Sequence, residues 1–309
     1  MGSEVLARLL AEECIVTAVV RNSSAVLNGR VHKAVVPDLT EQVNWEQVVA
    51  GQDVIIHSAA RVHVMNDLSA NPLAEFRTVN VDGTLNLAQQ AAAAGVKRFV
   101  FISSIKVNGE GTLRGNPYTA FDTPAPEDPY GISKMEAEQG LRLIADETGM
   151  EVVIIRPVLV YGPGVKANFL SMMRWVHKGI PLPLGAINNS RSLVSLDNLV
   201  DLIVTCIDHP AAANQTFLVS DGEDLSTTEL LRRVGAALGK PARLLPVPPK
   251  LLEFGASLLG KKAVAQRLLG SLQVDISHTC STLGWKPPVT VDEALAKTAA
   301  FYLEEHGAS

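Results

Sequence analysis

Short runs of apolar, β-branched residues alternate with longer segments of helical periodicity through the first half of the chain. The runs predict strands at 15–20, 31–36, 53–57, 99–103 and 152–155, and helices at 3–13, 72–94 and 129–148. This alternation is typical of an α/β fold in which a doubly wound parallel sheet carries helices on both faces. Ligands of such sheets bind at the carboxyl ends of the strands, so a site is expected near 57–60 and 103–104.

The pattern changes after residue 157, where Tyr-Gly-Pro-Gly at 161–164 is turn chemistry that leads away from the sheet. A helix is predicted at 168–178, a strand at 216–219, and helices at 227–238 and 291–305. We predict a sheet domain of residues 1–162 plus 193–225, and a smaller, mostly helical lobe of residues 163–192 plus 226–309. The apolar segment 251–259 is interpreted as a packed helix of this lobe, with a surface for lipid or a partner as the alternative.

The composition excludes several classes of protein. The 309 residues are 47% hydrophobic and 19% charged, which indicates a folded globular chain. The net charge is −5 without any run of Lys or Arg, which argues against a nucleic-acid partner. Neither the three cysteines (Cys14, Cys206 and Cys280) nor the seven histidines have metal-ligand spacing, so no metal is predicted. Reduced thiols, with no signal peptide and no bilayer-length apolar stretch, predict a cytoplasmic protein without integral membrane association.

Tyr130 and Lys134 are the strongest candidates for catalytic residues. A helix places residues four apart on one face, so the two side chains can lie side by side. A free phenol has a pKa of about 10. A nearby cation lowers that value, so Tyr130 could transfer protons near neutral pH. Pro129 suits the first turn of the helix that carries the pair. Ser104, at the end of a predicted strand, could hold a substrate oxygen. The three residues together are the groups needed to oxidise an alcohol or reduce a ketone with a nicotinamide.

Further motifs accompany this pair in a specific order: His-Ser-Ala-Ala at 57–60, Asn-Val-Asp-Gly-Thr at 80–84, Ser-Ser at 103–104, Val-Asn-Gly at 107–109, Arg-Pro at 156–157, Tyr-Gly-Pro-Gly at 161–164, Arg-Ser-Leu-Val at 191–194 and Asp-Asn at 197–198. With them, the chain resembles the extended short-chain dehydrogenase/reductase family of NAD-dependent epimerases and dehydratases over nearly its whole length. Segments 59–64 and 103–109 are most similar to the UDP-glucose 4-epimerase-like and UDP-4-keto-6-deoxy-sugar reductase branch.

The resemblance implies a Rossmann-like sheet with a mostly helical C-terminal substrate lobe, and it implies roles for individual residues. The catalytic set is Ser104, Tyr130 and Lys134. Substrate contacts are implied at Ser104, Asn168 and Arg191. The residues implied to contact an NADP or NAD cofactor are Gly2, Arg21, Asp38, Leu39, Ala59, Ala60, Asn80, Tyr130, Lys134 and Pro157. The implied substrate is a UDP-sugar, and homodimers through the helices at 72–94 and 129–148 are usual in the family.

The beginning of the sequence departs from the family pattern. The family opens with a strand and a Gly-x-x-Gly-x-x-Gly turn, and this sequence matches that turn only from its third glycine, Gly2. We expect that Met1 is not the natural start and that the strand and the first two glycines precede it. If the start is real, the turn that presents backbone N–H groups to the cofactor pyrophosphate is missing, and cofactor binding is in doubt.

Three substitutions narrow the implied chemistry, and a fourth is unexplained by the sequence. Ile105 and Lys106 stand where nucleotide-sugar dehydratases carry an Asp-Glu pair, which argues against elimination of water. Arg21 follows the strand at 15–20, where NAD-specific members carry an acid, so NADP is favoured over NAD. Asn108 replaces the tyrosine of a Val-Tyr-Gly motif, and the sequence offers no explanation for it.

The predicted function is an NAD(P)-dependent oxidoreductase that acts at C4 of a UDP-sugar. It is either a 4-epimerase or a 4-keto reductase, in the synthesis of surface-polysaccharide precursors. Tyr130 would take the proton of the C4 hydroxyl while Ser104 holds its oxygen. The alternative is a non-catalytic nucleotide-binding sensor or an inactive, truncated family member. A lipid-linked sugar substrate, bound with segment 251–259 near a membrane, is a third hypothesis.

Overall fold

The computed structural model describes residues 1–62, 71–258, 260 and 262–306. The strands are β1 Val16–Val20, β2 Val31–Val35, β3 Val54–His57, β4 Arg98–Ile102, β5 Glu151–Pro157, β6 Leu159–Tyr161, β7 Arg191–Ser195, β8 Thr216–Val219 and β9 Asp224–Leu225. The helices are α1 Gly2–Ala11, α2 Glu46–Val49, α3 Pro72–Arg77, α4 Gly83–Ala93, α5 Pro129–Thr148, α6 Ala167–His177, α7 Leu196–Asp208, α8 Thr227–Ala237, α9 Pro249–Leu258, α10 Lys262–Leu269, α11 Ser277–Leu283 and α12 Val291–His306.

The central sheet is parallel, in the order β3-β4-β5-β8. In its registers Val54 lies opposite Arg98, Arg98 opposite Glu151, and Ile154 opposite Thr216. β1 and β2 form a separate parallel pair, and among the described residues no backbone ladder joins β1 to β3. The sheet is therefore divided where the family's opening strand is expected.

Both faces of the central sheet are covered, because successive side chains of β4 and β5 point in opposite directions. Val100 and Ile155 pack in one cluster with Val5 of α1 and Leu199 of α7. The alternate residues of the two strands pack on the other face, against Leu87 of α4 and Leu141 of α5. These residues are Phe99 and Phe101 of β4 and Val152 and Ile154 of β5. The predicted doubly wound, Rossmann-like α/β fold is confirmed.

A second core lies among α6, α8 and α12, beside a small sheet in the order β6-β7-β9. Its members include Phe169, Met173, Leu231 and Leu295. Helices α6, α8 and α12 lie within the predicted smaller lobe, whereas β6, β9 and most of β7 fall in the predicted sheet domain. The predicted boundaries at 162/163, 192/193 and 225/226 stay a prediction. Among the described residues, no helix combines the length and apolarity needed to cross a bilayer.

The apolar segment predicted at 251–259 is helix α9 up to Leu258, while Leu259 lies outside the described residues. The helix has no buried residue. Leu251, Phe254 and Leu258 are 61%, 64% and 73% exposed, whereas Leu252 packs partly against the second core. The helix interpretation is confirmed, but its packing is one-sided and leaves an apolar stripe in solvent.

Several elements depart from the sequence prediction, which did not include α2, α7, α10, α11, β6, β7 and β9. The helix predicted at 72–94 is interrupted by a π-helical turn, Thr78–Asp82, between α3 and α4. Helix α7 was not predicted, although its signals are present. Ser195 caps it by accepting from the N–H of Asn198 at 3.2 Å, and an apolar face that includes Leu199 and Ile203 follows.

Candidate active site

Helix α5 carries Tyr130 and Lys134, and local sequence fixes where it begins and ends. Asp128 is its N-cap, and Oδ1 of this residue accepts from the N–H of Gly131 at 2.6 Å. Pro129 occupies the first turn, and Gly149 ends the helix in the left-handed region with φ 76°. The observed bounds, Pro129–Thr148, match the predicted ones. Tyr130, Lys134 and Glu138 consequently follow one another along a single face.

Ser104 is brought against Tyr130 by the turn that follows β4. Its side chain caps a 3₁₀ turn, Ile105–Val107, by accepting from the N–H of Lys106 at 3.3 Å. The Ser104 hydroxyl also lies near enough to the Tyr130 hydroxyl to lower the pKa of the phenol. Two of the three residues predicted to be catalytic are therefore neighbours.

This proximity depends on a close backbone approach at Gly131. A Cβ at this position would lie 2.8 Å from the carbonyl oxygen of Lys106 and 3.1 Å from Cβ of Pro126. Backbone atoms cannot yield as a flexible side chain can, so a larger residue would push the 3₁₀ turn away from α5. The glycine after Tyr130 thus sets the distance between Ser104 and the phenol.

Lys134 is almost fully buried beneath the sheet, with 1% of its surface exposed. Its Nζ lies 3.9 Å from the centroid of the Phe101 ring, close enough for a cation–π contact. Among the described residues its ammonium has no hydrogen-bond acceptor. Burial lowers the pKa of Lys134 to about 7, although the charge of Glu138 opposes this shift.

The pKa of Tyr130 moves in the direction opposite to the sequence prediction. Its pKa is raised to about 12, first by burial and next by the charge of Asp128, while the nearby Ser104 hydroxyl opposes the shift. The prediction was wrong in direction because burial, the largest influence on Tyr130, disfavours the charged phenolate. The cation of this pair can lower the pKa of Tyr130, as predicted, only when a bound group stabilises the charged form of Lys134.

A buried polar network that the sequence analysis missed lies next to Lys134. Glu138 Oε1 accepts from Ser103 Oγ at 2.5 Å and from Nε of Arg156 at 2.9 Å, and Oε2 accepts from Nη2 of Arg156 at 2.5 Å. Nη1 of Arg156 donates to Oδ1 of Asn108 at 3.0 Å, and Asn108 donates to the carbonyl of Thr119 at 3.1 Å. The network explains Asn108, which supplies a buried acceptor for the guanidinium. The repeat of Tyr130, Lys134 and Glu138 at intervals of four was the available signal.

Asn80, predicted to support the cofactor site, lies within the π turn and is 1% exposed. Its Oδ1 accepts from the N–H of Arg61 at 2.8 Å, and its Nδ2 donates to the Arg61 carbonyl and to Ser133 Oγ, both at 3.0 Å. It therefore ties the segment after β3, where Ala59 and Ala60 lie, to helix α5. His63 and Val64, which contributed to the resemblance, lie outside the described residues.

The other predicted cofactor residues follow the strands β1 and β2. Arg21 comes directly after β1 and is exposed. Asp38 accepts from the N–H of Leu39 at 2.8 Å through its Oδ1. A Cβ on Gly83 would lie only 2.8 Å from the Leu39 carbonyl oxygen, so this segment packs directly against the start of α4. Gly2, at the start of α1, is close to Ser58, since a Cβ there would meet its Oγ at 3.9 Å.

These residues fit a nicotinamide dinucleotide. The buried ammonium of Lys134 suits ribose hydroxyls, since it donates to none of the described residues. The segment with Asp38 and Leu39 suits the adenine end. Pro157, predicted to contact the cofactor, is the buried last residue of β5. The chain thus brings together segments suited to both ends of the cofactor.

The residues predicted to bind substrate lie in the second lobe. Asn168 is exposed in the first turn of α6. Arg191 begins β7, and its Nη1 donates to the carbonyl of Gly270 at 3.0 Å. Burial lowers the pKa of Arg191. Their roles stay predictions, because no described contact joins either residue to Ser104.

Comparisons with known proteins agree with this geometry. The family described as NAD dependent epimerase/dehydratase matches residues 1–220. A UDP-glucose 4-epimerase of Vibrio cholerae is 55% identical over 296 residues, which cover 96% of this chain and 90% of that protein.

Among solved structures, the UDP-glucose 4-epimerase of Thermotoga maritima with UDP-glucose has a TM-score of 0.77 at 21% identity, covering 98% of this chain and 96% of that one. The UDP-glucuronic acid 4-epimerase of Bacillus cereus in complex with NAD has a TM-score of 0.79 at 17% identity, covering 100% and 94%. At these identities the structural likeness shows the fold alone.

Proposed function

The chain belongs to the NAD dependent epimerase/dehydratase family and is therefore an enzyme, and from this premise we propose that it interconverts UDP-sugars that differ in configuration at C4. The observation that carries the proposal is the placement of Ser104 next to Tyr130, with the buried Lys134 one turn further along the same face of α5. The 55% identity to a UDP-glucose 4-epimerase supports both the position of the reaction and the class of substrate. A non-catalytic sensor would have no need of this arrangement.

In the proposed mechanism, Tyr130 takes the proton from the C4 hydroxyl and Ser104 holds the oxygen through its own hydroxyl. The chemistry that the nicotinamide supplies when bound is acceptance of hydride from C4 and its return to the opposite face. Lys134 would donate to ribose hydroxyls, and an ammonium with acceptors keeps its charge more readily than a bare one. That charge favours the phenolate, which lowers the pKa of Tyr130 from about 12 toward the range needed for catalysis.

The test is Tyr130→Phe, assayed with UDP-glucose and UDP-galactose and with cofactor in catalytic amount. We expect kcat to fall by about 10² to 10⁴, the usual contribution of a positioned acid or base, with nucleotide affinity within a few-fold of wild type. Tyr302→Phe, on α12, is the control and should retain turnover. Substantial residual turnover in Tyr130→Phe would refute the assigned role.

The same assay separates an epimerase from a 4-keto reductase, which runs one half of the cycle. An epimerase turns over with catalytic cofactor. A reductase consumes reduced cofactor in proportion to a 4-keto sugar and releases it oxidised. Stoichiometric consumption would therefore replace the proposed epimerase with the reductase. A role in making surface-polysaccharide precursors is proposed with either, and it predicts altered surface glycans in a deletion strain.

The preference for NADP over NAD is proposed from Arg21, which lies exposed after β1. Its guanidinium could pair with a 2′-phosphate. We expect Arg21→Ala to weaken NADP binding about tenfold or more while NAD binding changes little. Equal effects on both cofactors would remove Arg21 from this role and leave NAD, the cofactor in the family's name, as the better proposal.

We also propose a cytoplasmic homodimer, assembled through α3, α4 and α5. Leu143 on α5 is 62% exposed in the single chain, which suits a residue covered in an assembly. Leu143→Glu should convert the dimer to a monomer in sedimentation analysis. A wild-type protein that sediments as a monomer would contradict the proposal.

A further inference from the structure

Lys106 is held between two carboxylates where the turn after Ser104 meets the start of α5. Its ammonium donates to Oε1 of Glu110 at 2.8 Å and to the carboxylate of Asp128. The three side chains are about one quarter exposed, at 27%, 26% and 24%. Burial lowers the pKa of Lys106, but the hydrogen bonds to Asp128 and Glu110 outweigh this and raise it. Lys106 is therefore a cation throughout the physiological range.

Asp128 links this cation to the phenol. One of its oxygens caps α5 by accepting from the N–H of Gly131, and the other receives the ammonium of Lys106. Tyr130 follows two residues later, near enough that the charge of Asp128 contributes to raising its pKa. The backbone of Lys106 is at the same junction, because its carbonyl packs against Gly131 and its N–H donates to Ser104 Oγ.

We propose that Lys106 is a positioning residue for Tyr130: its ammonium ties the Ser104 turn to the N-cap of α5 and cancels the negative charge of Asp128 beside the phenol. The inference rests on the proposed role of Tyr130 as the acid and base. It concerns a residue that does not touch the substrate in that mechanism. It also gives a purpose to a lysine that stands where dehydratases carry an acid.

Other charged groups around Tyr130 are arranged differently. Lys134 lies one turn further along α5, beneath the phenol rather than beside the N-cap. On the α3 side, the Phe76 ring lies 6.1 Å from the Tyr130 ring, centroid to centroid. Beyond Phe76, Arg61 and Glu75 approach to 3.8 Å as an opposite-charge pair. These groups are unchanged by a substitution at Lys106 or Asp128, so the two partners can be tested separately.

The experiment measures the titration of Tyr130 in the NAD-saturated enzyme in two independent ways. One is the acid limb of the pH profile of kcat/KM. The other is the near-ultraviolet absorbance of tyrosinate, taken as the difference between each protein and the same protein with Tyr130→Phe. The variants are Lys106→Met, which removes the cation at similar volume, and Asp128→Asn, which removes the anion but can still cap the helix.

The two variants are expected to move the Tyr130 titration in opposite directions. Lys106→Met removes the cation that contacts both Asp128 and Glu110 and should shift the titration upward by roughly half to one pH unit. Asp128→Asn should shift it downward by a similar amount, and the double variant should return close to wild type. Lys106→Arg should restore most of the wild-type profile. A loss of structure alone would shift the Tyr130 titration in the same direction in both single variants.

A matched control is the Lys97–Asp53 pair, whose members are 77% and 76% exposed. Lys97→Met and Asp53→Asn should leave both titrations unchanged. Shifts of the same sign for Lys106→Met and Asp128→Asn, or no shift in either, would overturn the inference. If the wild-type enzyme shows no epimerisation, the proposed function fails, but the absorbance titration still decides the role of Lys106.

Discussion

The four-stranded sheet and the β1–β2 pair are buried to very different degrees. Every residue of β4 is buried, and Phe99, Val100 and Phe101 have no exposed surface. In the β1–β2 pair no residue is fully buried, and Val19 and Val35 are 45% and 46% exposed. Two-stranded units are at best marginally stable alone, whereas a sheet covered on both faces forms a core.

This difference separates the two ends of the candidate site. The residues proposed for chemistry, Ser104, Tyr130 and Lys134, stand on or beside the four-stranded sheet. The residues predicted for the adenine end, Arg21, Asp38 and Leu39, follow the β1–β2 pair. The groups proposed for chemistry thus stand on the more deeply buried of the two sheets. The residues predicted for the adenine half follow the more exposed pair of strands.

The largest expected effect comes from the polar network beneath the four-stranded sheet. Glu138→Gln would leave the Arg156 guanidinium buried without its carboxylate, since both side chains are 3% exposed. Loss of one partner of a buried pair costs about 3–5 kcal/mol in the free energy of unfolding. Urea denaturation would measure it.

The control for Glu138 is two residues earlier on the same helix. Glu136→Gln breaks only an exposed pair with Arg77 and should change stability far less. Equal losses in the free energy of unfolding for the two substitutions would contradict the predicted contribution of the buried network to stability.

The second prediction compares the sheets directly. Ile154→Ala in β5 removes a side chain with no exposed surface and should cost about 2–5 kcal/mol. Val19→Ala in β1 should stay within about 0.5 kcal/mol, because the side chain is already half in solvent. Similar losses in denaturant midpoints would mean that the two sheets unfold as one equally packed unit, against the comparison drawn above.

The smallest expected effect concerns His57, at the end of β3. Burial lowers its pKa to about 3, the charge of Lys134 contributes, and its Nε2 lies 3.0 Å from Thr84 Oγ1. Its imidazole stays neutral in the folded state, while the unfolded chain takes up a proton below about pH 6.5. Stability from this group is therefore complete above pH 6.5 and is lost as the pH falls toward 3.

Between pH 7 and pH 5, the free energy of unfolding of wild type should fall by about 2 kcal/mol more than that of His57→Gln. Denaturation curves at the two pH values test this. The same change at His32, which is exposed on β2, is the matched control. Parallel losses in wild type and His57→Gln would contradict the assigned cause.

Much of the fold could be predicted because local signals and tertiary structure agree. Helix α5 is bounded by an N-cap at Asp128 and a left-handed glycine at Gly149, both readable from sequence. The strands of the four-stranded sheet are continuous apolar runs. The π turn could not be predicted, because apolar spacing does not distinguish one inserted residue from a continuous helix.

The site was predictable in its members but not in its energetics. Spacing placed Tyr130 beside Lys134, and the turn after β4 supplied Ser104. The direction of the Tyr130 pKa was missed because burial is a property of the whole fold. Lys106 and Asp128 were missed as partners because they meet only when two separate segments pack together.

The π turn also determines how the structure responds to a change in the length of this segment. Each helical residue adds about 100° of rotation, so deleting one residue from Thr78–Asp82 would turn α4 by that angle relative to α3. Gly83 would then leave the Leu39 carbonyl, and Thr84 would leave His57. We expect a single-residue insertion or deletion in this segment to break both contacts and to lower the free energy of unfolding.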